Sequence, residues 1–296
     1  MTEVYGAGTI KRERRSKDRM TALDAQIMAV LREDHPQSVR HVFYRMTDPR
    51  LSEPVEKSDR GYRHVQSRCV VLRRAGLIPY NWIADMSRQG YFTNTYSDAG
   101  DFIRQMGGLY RADLWRDAES RCEVWAESRS IASVMLADCK DMAVDLYPCG
   151  GFTSLSFVHA AAQFHNASQD KRPLVIVYVG DYDPAGVLID VALQRELREH
   201  LRGDIELDFR RIGINEEQVE LYDLPTKPRK DGDKRSQHVT YSVEAEAMPA
   251  RDLRAIFRLE VESLLPENAL EVAKVAEQSE RKHLKNMAAM FDRGQR

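Results

Sequence analysis

The sequence predicts an α/β protein with two domains, a small basic helical domain followed by a larger domain built on a parallel sheet. The chain has 296 residues, which is longer than one typical domain. Helical patterns fill its first part, whereas strands and helices alternate beyond residue 121, as in parallel β/α units. Lys and Arg outnumber Asp and Glu by 17 to 11 in residues 1–90, whereas the acids outnumber the bases by 35 to 27 in residues 91–296. The first part therefore suits a polyanionic partner and the second suits cations.

The overall composition excludes several protein classes. Hydrophobic residues make up 43% of the chain and charged residues 30%, which is typical of a soluble globular protein. No stretch reaches the roughly 18 apolar residues that a membrane span needs, so we expect a cytoplasmic protein without membrane contact. The four cysteines form no Cys-x-x-Cys pair, so neither a zinc ribbon nor a disulfide framework is predicted.

Three helices are predicted near the N-terminus. Thr21 with Asp24 forms a capping signal for the first, and Ser38 is placed to cap the second. The third runs from about Asp59 to Ala75, with an apolar stripe on one side and basic residues on the others. Gly76 then ends this helix.

A short extended element follows these helices. Leu77–Ile83 predicts a strand or wing, and three short helices with a basic third helix and a wing are typical of a winged helix-turn-helix. Such a domain places its third helix in the major groove of double-stranded DNA. The expected DNA contacts are six arginines: Arg45, Arg60, Arg63, Arg68, Arg73 and Arg74.

Strands and helices alternate in the second domain. The predicted strands are Cys122–Ala126, Ala143–Tyr147 and Leu174–Val179, and the predicted helices are Arg129–Cys139, Thr153–Gln163 and Val187–Leu201. The last strand is uninterrupted and β-branched, which indicates a central strand buried on both faces.

Three acidic residues follow these strands. Asp181 and Asp183 come directly after the central strand, and Glu127 ends the first strand. Because open parallel sheets bind ligands at the carboxyl ends of their strands, we expect all three side chains to converge at one edge. Clustered carboxylates repel one another unless a cation compensates, and oxygen ligands favour Mg²⁺ or Mn²⁺. The sequence therefore predicts a metal site formed by these residues.

The acidic motifs resemble those of the Toprim domain of topoisomerases, primases and related nucleases. The matching segments are Val124–Ser128 and Val177–Gly186, the second of which reads Val-Tyr-Val-Gly-Asp-Tyr-Asp-Pro-Ala-Gly. Three further segments match a more specific family: Arg40–Tyr44 ahead of the basic helix, and Arg211–Ile214 and Glu244–Pro249 after the acids. With these segments and the acidic motifs, the chain is similar to the A subunit of topoisomerase VI and the related meiotic double-strand-break transesterase.

The resemblance implies a mechanism. In that family a tyrosine attacks a DNA phosphodiester and forms a 5′-phosphotyrosyl link, and the corresponding residue here is Tyr44. Arg40 lies one helical turn away and Arg45 is adjacent, so we expect these cations to lower the pKa of the phenol and to bind the scissile phosphate. Glu127 would act in catalysis as well as in metal binding. The resemblance also implies a homodimer, and an ATP-driven topoisomerase would need a separate ATPase subunit.

Five segments are therefore expected along the chain: a basic arm (1–20), a winged-helix DNA-binding domain (21–92), a linker (93–120), a Toprim domain (121–265) and a C-terminal amphipathic helix (266–296). Lys227–Arg235 is interpreted as a surface loop, either solvated or in contact with DNA beside the acids.

Three functions are compatible with the sequence. The first is DNA cleavage through Tyr44. The second is DNA hydrolysis by a Toprim endonuclease, in which Tyr44 is structural. Such a nuclease could serve in defence. The third is a DNA-binding regulator that does not cut. DNA site preference and biological pathway are open at this level.

Overall fold

A four-stranded parallel sheet forms the centre of the molecule. The computed structural model describes residues 15–84, 93–150, 155–229, 236 and 239–294. The strands of the sheet are β1 (Arg121–Ala126), β2 (Asp145–Pro148), β3 (Leu174–Val179) and β4 (Leu207–Gly213). Their order is β2-β1-β3-β4 with all pairs parallel. A short antiparallel pair lies apart from it, β5 (Lys227–Pro228) with β6 (Tyr241–Ser242). The predicted α/β class is confirmed.

Helices surround this sheet and extend from it. They are α1 (Lys17–Glu33), α2 (Val39–Met46), α3 (Asp59–Arg74), α4 (Ala99–Leu109), α5 (Arg129–Asp141), α6 (Leu155–Ala167), α7 (Gly186–His200), α8 (Glu216–Leu221), α9 (Ala250–Glu262) and α10 (Ala269–Gly294). None of the helices in the described ranges is long and apolar enough to cross a membrane.

The central strand β3 is buried along its whole length, as predicted. Val175 and Val177 face a core shared with α5 and α9, whereas Ile176 and Tyr178 face a second core shared with α6 and α7. Side chains that alternate between two covered faces explain why the strand reads as a continuous apolar run. The strand β2 begins at Asp145, two residues later than expected, because Ala143 adopts a left-handed conformation at the end of α5.

The start of α1 differs from the prediction. Ser16 is the N-cap and accepts a hydrogen bond from the Arg19 amide at 3.3 Å. Thr21 lies inside the helix and donates its hydroxyl to the Lys17 carbonyl oxygen at 3.1 Å, so the expected cap at Thr21 was wrong. Ser38 caps α2 as predicted, through a 3.3 Å bond from the His41 amide.

The segment after α3 is not extended. Gly76 ends the helix with a φ of +71°, as expected. Tyr80–Trp82 then forms a 3₁₀ turn. In place of the predicted strand or wing at Leu77–Ile83, the described residues 15–84 contain one parallel β-bridge between Ile83 and Gln37. The guanidinium of Arg73 lies 4.5 Å from the centre of the Tyr80 ring and donates to the Tyr80 carbonyl oxygen at 2.9 Å. These contacts hold the segment against the helices.

The predicted linker contains a helix. Helix α4 lies within residues 93–120 and packs on α10, where the Gly107 backbone approaches Leu284. Glu277 of α10 accepts a hydrogen bond from the Ala112 amide at 3.2 Å and forms an ion pair with Arg111 at 2.9 Å. Gly107 therefore permits close packing of α4 on α10 within the expected linker. Residues 1–14 of the predicted basic arm, 85–92 and 230–235 lie outside the described residues.

A buried polar network fastens β1 to α6. Glu123 is 3% exposed and accepts hydrogen bonds from His165 Nε2 at 2.7 Å and from Trp125 Nε1 at 2.9 Å. Arg121 Nη1 lies 3.1 Å from His165 Nδ1. Because arginine can only donate, Nδ1 accepts and Nε2 carries the proton that His165 gives to Glu123. The buried carboxylate is thus compensated from two directions.

Removal of His165 tests this network. We expect the His165→Ala variant to lose about 3 kcal/mol of unfolding free energy, because one buried oxygen of Glu123 loses its hydrogen-bond donor while the bond from Trp125 to the other remains. Urea denaturation followed by circular dichroism measures this loss. The control is His159→Ala, at an exposed position on the same helix. Equal losses in both variants would contradict a special role for the buried pair.

Candidate functional site at the carboxyl edge of the sheet

The ends of β1 and β3 bring two acidic residues together. Ala126 pairs with Val179 in the parallel register, so Glu127 and Asp181 leave the sheet at the same edge. Glu127 Oε2 accepts a hydrogen bond from the Asp181 amide at 2.8 Å. A Cβ atom on Gly180 would lie 2.5 Å from that oxygen, so only glycine permits this approach. The predicted convergence of these two acids is present in the structure.

The segment that contains Glu244 and Glu246 borders these acids. Tyr182 and Val243 exchange two backbone hydrogen bonds of 2.9 and 2.8 Å, which fixes the segment beside the sheet edge. Asp181 Oδ1 then accepts a hydrogen bond from the Ala245 amide at 2.8 Å, at the start of a 3₁₀ turn over Ala245–Ala247. Glu246 is 4% exposed and therefore adds a buried acid to the cluster.

Asp183 has a different role from its neighbour. Its Oδ1 accepts hydrogen bonds from the amides of Ala185 and Gly186, at 2.8 and 2.6 Å, where the chain enters α7. A Cβ atom on Gly186 would lie 2.2 Å from the Asp181 carbonyl oxygen, so this tight turn also requires glycine. One carboxylate oxygen of Asp183 therefore stabilises the start of the helix.

The acids at this edge are costly to ionise together. Burial raises the pKa of Glu127, and the charges of Asp183 and Glu246 raise it further. Burial also raises the pKa of Asp181 well above its ordinary value, with contributions from Glu127 and Glu246. Burial raises the pKa of Glu246 as well. A cation at this edge would relieve the repulsion.

The arrangement does not form a complete metal-ligand shell. Across residues 15–84, 93–150, 155–229, 236 and 239–294, no group of three His, Cys, Asp or Glu side chains is arranged to hold a metal ion. Glu127 and Asp181 share an edge, whereas Asp183 is engaged by the amides that begin α7. The three-residue magnesium site stays a prediction.

Arg40 joins α2 to the acidic edge. Its guanidinium forms an ion pair with Glu244 and lies 3.9 Å from Glu246. The N-terminal helices therefore pack directly on the sheet domain. A second connection is made by Arg254 of α9, which pairs with Asp34 after α1.

Tyr44 lies one helical turn from Arg40 but is poorly suited to ionise in this state. The residue is 6% exposed. Burial raises the pKa of its phenol well above the usual range, and the nearby Glu244 carboxylate raises it further, which outweighs Arg40. Arg45 instead pairs with Glu33 at 2.5 Å. The expectation that cationic neighbours lower this pKa was wrong, because it left out burial and Glu244.

Three of the six arginines expected to contact DNA have intramolecular partners. Arg45 pairs with Glu33, and Arg73 contacts Tyr80 as described above. Arg68 donates to both carboxylate oxygens of Asp24, at 2.8 and 2.6 Å. These partners favour a structural role for the three residues.

The other three arginines are exposed on α3: Arg60, Arg63 and Arg74. Arg60 and Arg63 line a cleft of about 850 Å³ together with Arg15 and Arg19 from the start of the chain's described part. Arg15 and Arg19 also pair with Glu53, at 3.4 and 2.7 Å. This cleft therefore carries four arginines beside the predicted recognition helix.

Two further residues near Tyr44 were missed from the sequence as site residues. Lys57 Nζ lies 5.7 Å from the centre of the Tyr44 ring and donates to the carbonyl oxygens of Pro225 and Thr226, at 2.7 and 3.0 Å. Glu244 entered the sequence analysis only as part of the matching segment Glu244–Pro249. An isolated lysine in a short loop carries no motif, so its position could not be read from the sequence.

Comparisons of the chain with protein-family models, with curated proteins and with solved structures found no match. The resemblance to the topoisomerase VI A subunit therefore rests on the sequence motifs alone, which are those around Tyr44, Glu127 and Asp181 together with Arg211–Ile214 and Glu244–Pro249.

Replacement of Asp181 by asparagine tests the electrostatic cost of the acidic edge. The pKa of Asp181 is raised in the folded protein, so the folded state loses stability as the pH rises through this raised pKa and Asp181 ionises. Asparagine removes the charge and keeps an oxygen that can accept from the Ala245 amide. We therefore expect Asp181→Asn to raise the unfolding free energy at pH 7 in EDTA by about 1 kcal/mol or more, since one pKa unit corresponds to about 1.4 kcal/mol.

Thermal melts across a pH series measure this effect. The difference from wild type should shrink as pH falls toward the ordinary range of aspartate. Asp145→Asn is the control, because Asp145 is exposed at the amino end of β2. A destabilised Asp181→Asn variant at pH 7 would contradict the proposed repulsion.

Proposed function

We propose that the protein cleaves DNA strands in a Mg²⁺-dependent reaction at the carboxyl edge of its sheet, as a topoisomerase VI A-like protein with winged-helix and Toprim domains. The observation that carries this proposal is the contact between Asp181 and Glu127 across the ends of β1 and β3. Two half-buried acids with raised pKa values at this edge suit an enzyme that recruits a cation.

The donor groups at the edge fit a hard divalent cation. Glu127 and Asp181, with the adjacent Asp183, would hold Mg²⁺ or Mn²⁺ through carboxylate oxygens. The hydrogen bonds described above use Oε2 of Glu127 and Oδ1 of Asp181, so the second oxygen of each side chain is outside those bonds. When bound, the cation would neutralise charge on the phosphate and on the departing oxygen.

The residues of the chain would position and attack the phosphodiester. In the first mechanism the Tyr44 oxygen attacks phosphorus, the bond from phosphorus to the 3′ oxygen breaks, and the phenolic proton ends on that 3′ oxygen. Arg40 lies between Tyr44 and the acidic segment, so its guanidinium is placed to bind the phosphate. A 5′-phosphotyrosyl link then stores the energy of the broken bond.

Hydrolysis is the second candidate function, and the burial of Tyr44 favours it. A phenol that is 6% exposed with a raised pKa is a poor nucleophile unless the site rearranges. In hydrolysis, water attacks the phosphorus and Tyr44 remains a core aromatic. The acidic edge serves both reactions.

The same proposal assigns partners. Double-stranded DNA would lie along α3, where the exposed Arg60, Arg63 and Arg74 can contact phosphates. A homodimer would place Tyr44 of one protomer against the acids of the other, so that each site cuts one strand. Rejoining of strands driven by ATP would need a separate ATPase subunit.

Replacement of Tyr44 separates the two mechanisms. We expect wild-type protein with supercoiled plasmid and Mg²⁺ to form a covalent adduct at 5′ ends, and Tyr44→Phe to lose it because the attacking oxygen is absent. Denaturing gels after nuclease digestion detect the adduct. Tyr80→Phe is the control, since Tyr80 is 65% exposed. Cleavage that persists in Tyr44→Phe without an adduct would favour hydrolysis.

Replacement of Asp181 tests the acidic edge itself. We expect Asp181→Asn to reduce the cleavage rate at least about 100-fold, because the edge loses a charge that holds the cation. Plasmid nicking in Mg²⁺ and in Mn²⁺ measures the rate, and Asp145→Asn should cut normally. The thermal melts described above show whether the inactive variant is folded. Full activity of Asp181→Asn would contradict the proposal, and absence of cutting by wild type with either metal would favour a DNA-binding regulator.

A further inference from the structure

A cationic cavity lies beside Tyr44. Its volume is about 220 Å³, and it is lined by three cationic side chains, Arg40, Lys57 and Lys227, and by two carboxylates, Glu244 and Asp59. Asp59 is exposed at the start of α3 and is screened by water, whereas Glu244 is half-buried. The cavity therefore has an excess of positive charge around one central carboxylate. We refer to it as the Lys57 cavity.

Glu244 bridges two of these cations. One of its oxygens pairs with Arg40, and the other accepts from Lys227 Nζ at 2.6 Å. Burial favours the neutral acid, but the bond from Lys227 and the charge of Arg40 prevail and lower the pKa of Glu244. The carboxylate is therefore ionised and occupies the centre of the cationic group.

Lys57 is left without a carboxylate partner. In the described part of the chain its ammonium contacts two backbone carbonyl oxygens and makes no ion pair. Burial lowers the pKa of Lys57 and the charge of Lys227 lowers it further, which outweighs the attraction of Glu244. Both lysine ammonium groups lie near the Tyr44 ring, at 5.7 and 5.9 Å from its centre. An additional anion here would be attracted by all three cations.

We propose that the Lys57 cavity binds a phosphate group of the DNA backbone and that Glu244 occupies the position of this phosphate until DNA binds. The inference rests on the proposed function, since it assigns part of the DNA-binding surface. A phosphodiester carries one negative charge and two terminal oxygens, as a carboxylate does, so it can replace Glu244 between Arg40 and Lys227. It would gain Lys57 as a third partner.

The exchange places the phosphate next to Tyr44. Glu244 and Tyr44 line the same cavity, so a phosphate in the position of Glu244 would lie beside the Tyr44 side chain. Glu244 thus blocks the Tyr44 side chain in the absence of DNA. When the DNA phosphate displaces Glu244, binding of the DNA also opens the cavity beside Tyr44.

DNA affinity measured without cleavage tests the inference. A fluorescent DNA duplex is titrated with protein in EDTA at fixed salt, and anisotropy gives the dissociation constant. We expect Glu244→Gln to tighten binding about tenfold, because a competing charge is removed from the phosphate position, and Lys57→Gln to weaken binding about tenfold. In Lys57→Gln, the slope of the logarithm of affinity against the logarithm of salt concentration should become shallower by the amount that corresponds to about one phosphate contact.

Two charge-matched variants serve as controls. Lys171→Gln removes an exposed lysine that pairs with Asp204, and Glu199→Gln removes an exposed acid on α7. Both should bind DNA like wild type. If Glu199→Gln tightens binding as much as Glu244→Gln does, net charge explains the effect and the inference is overturned. Thermal melts establish that each variant is folded.

A second titration identifies the source of the phosphate. Inorganic phosphate is added to each variant, and the shift in melting temperature is recorded. Stabilisation that is larger in Glu244→Gln than in wild type and lost in Lys57→Gln, together with the changes in DNA affinity, supports the inference. Phosphate effects without any change in DNA affinity would overturn the assignment to DNA. None of these binding measurements requires DNA cleavage. A wild-type protein that does not cut DNA would therefore refute the proposed cleavage, and the binding measurements would still test the phosphate site.

Discussion

The parallel register of β1 against β3 is the constraint on which the rest of the site depends. It aligns Ala126 with Val179, so the residues that follow must emerge at one edge of the sheet. Both strands are covered by helices, which prevents either from shifting without exposing apolar side chains. Gly180 then lets the Glu127 carboxylate reach the Asp181 amide. A pair of acids is thereby imposed by strand pairing, even though their charges oppose it.

The acidic edge illustrates how a candidate site can reduce the stability of the fold that carries it. Burial and mutual repulsion raise the pKa values of Glu127, Asp181 and Glu246. Neighbouring hydrogen bonds from backbone amides offset part of this cost. The remaining cost of ionising the cluster supports a role in binding a cation. The stability of the surrounding sheet makes the arrangement possible.

The ion pair of Arg40 with Glu244 connects this edge to the N-terminal helices. It places α2, and with it Tyr44, next to the segment that borders Asp181. Tyr44 is consequently enclosed by the sheet domain as well as by its own helix bundle, and its phenol is difficult to ionise. In the proposed reaction, this contact would govern the access of both the nucleophile and the phosphate. The same ion pair therefore links the N-terminal helices to the acidic edge of the sheet.

The sequence by itself determined the local elements. The buried strand β3, the helix capped by Ser38 and the stop at Gly76 follow from periodicity and residue preference, because each depends on neighbours close in the chain. Tertiary contacts decided the rest. Tyr80 is held against Arg73, so the expected wing is a turn, and α4 formed within the expected linker because α10 covers it. Burial and charges distant in sequence likewise set the pKa of Tyr44 and assembled Lys57 with Glu244, and no local pattern encodes such contacts.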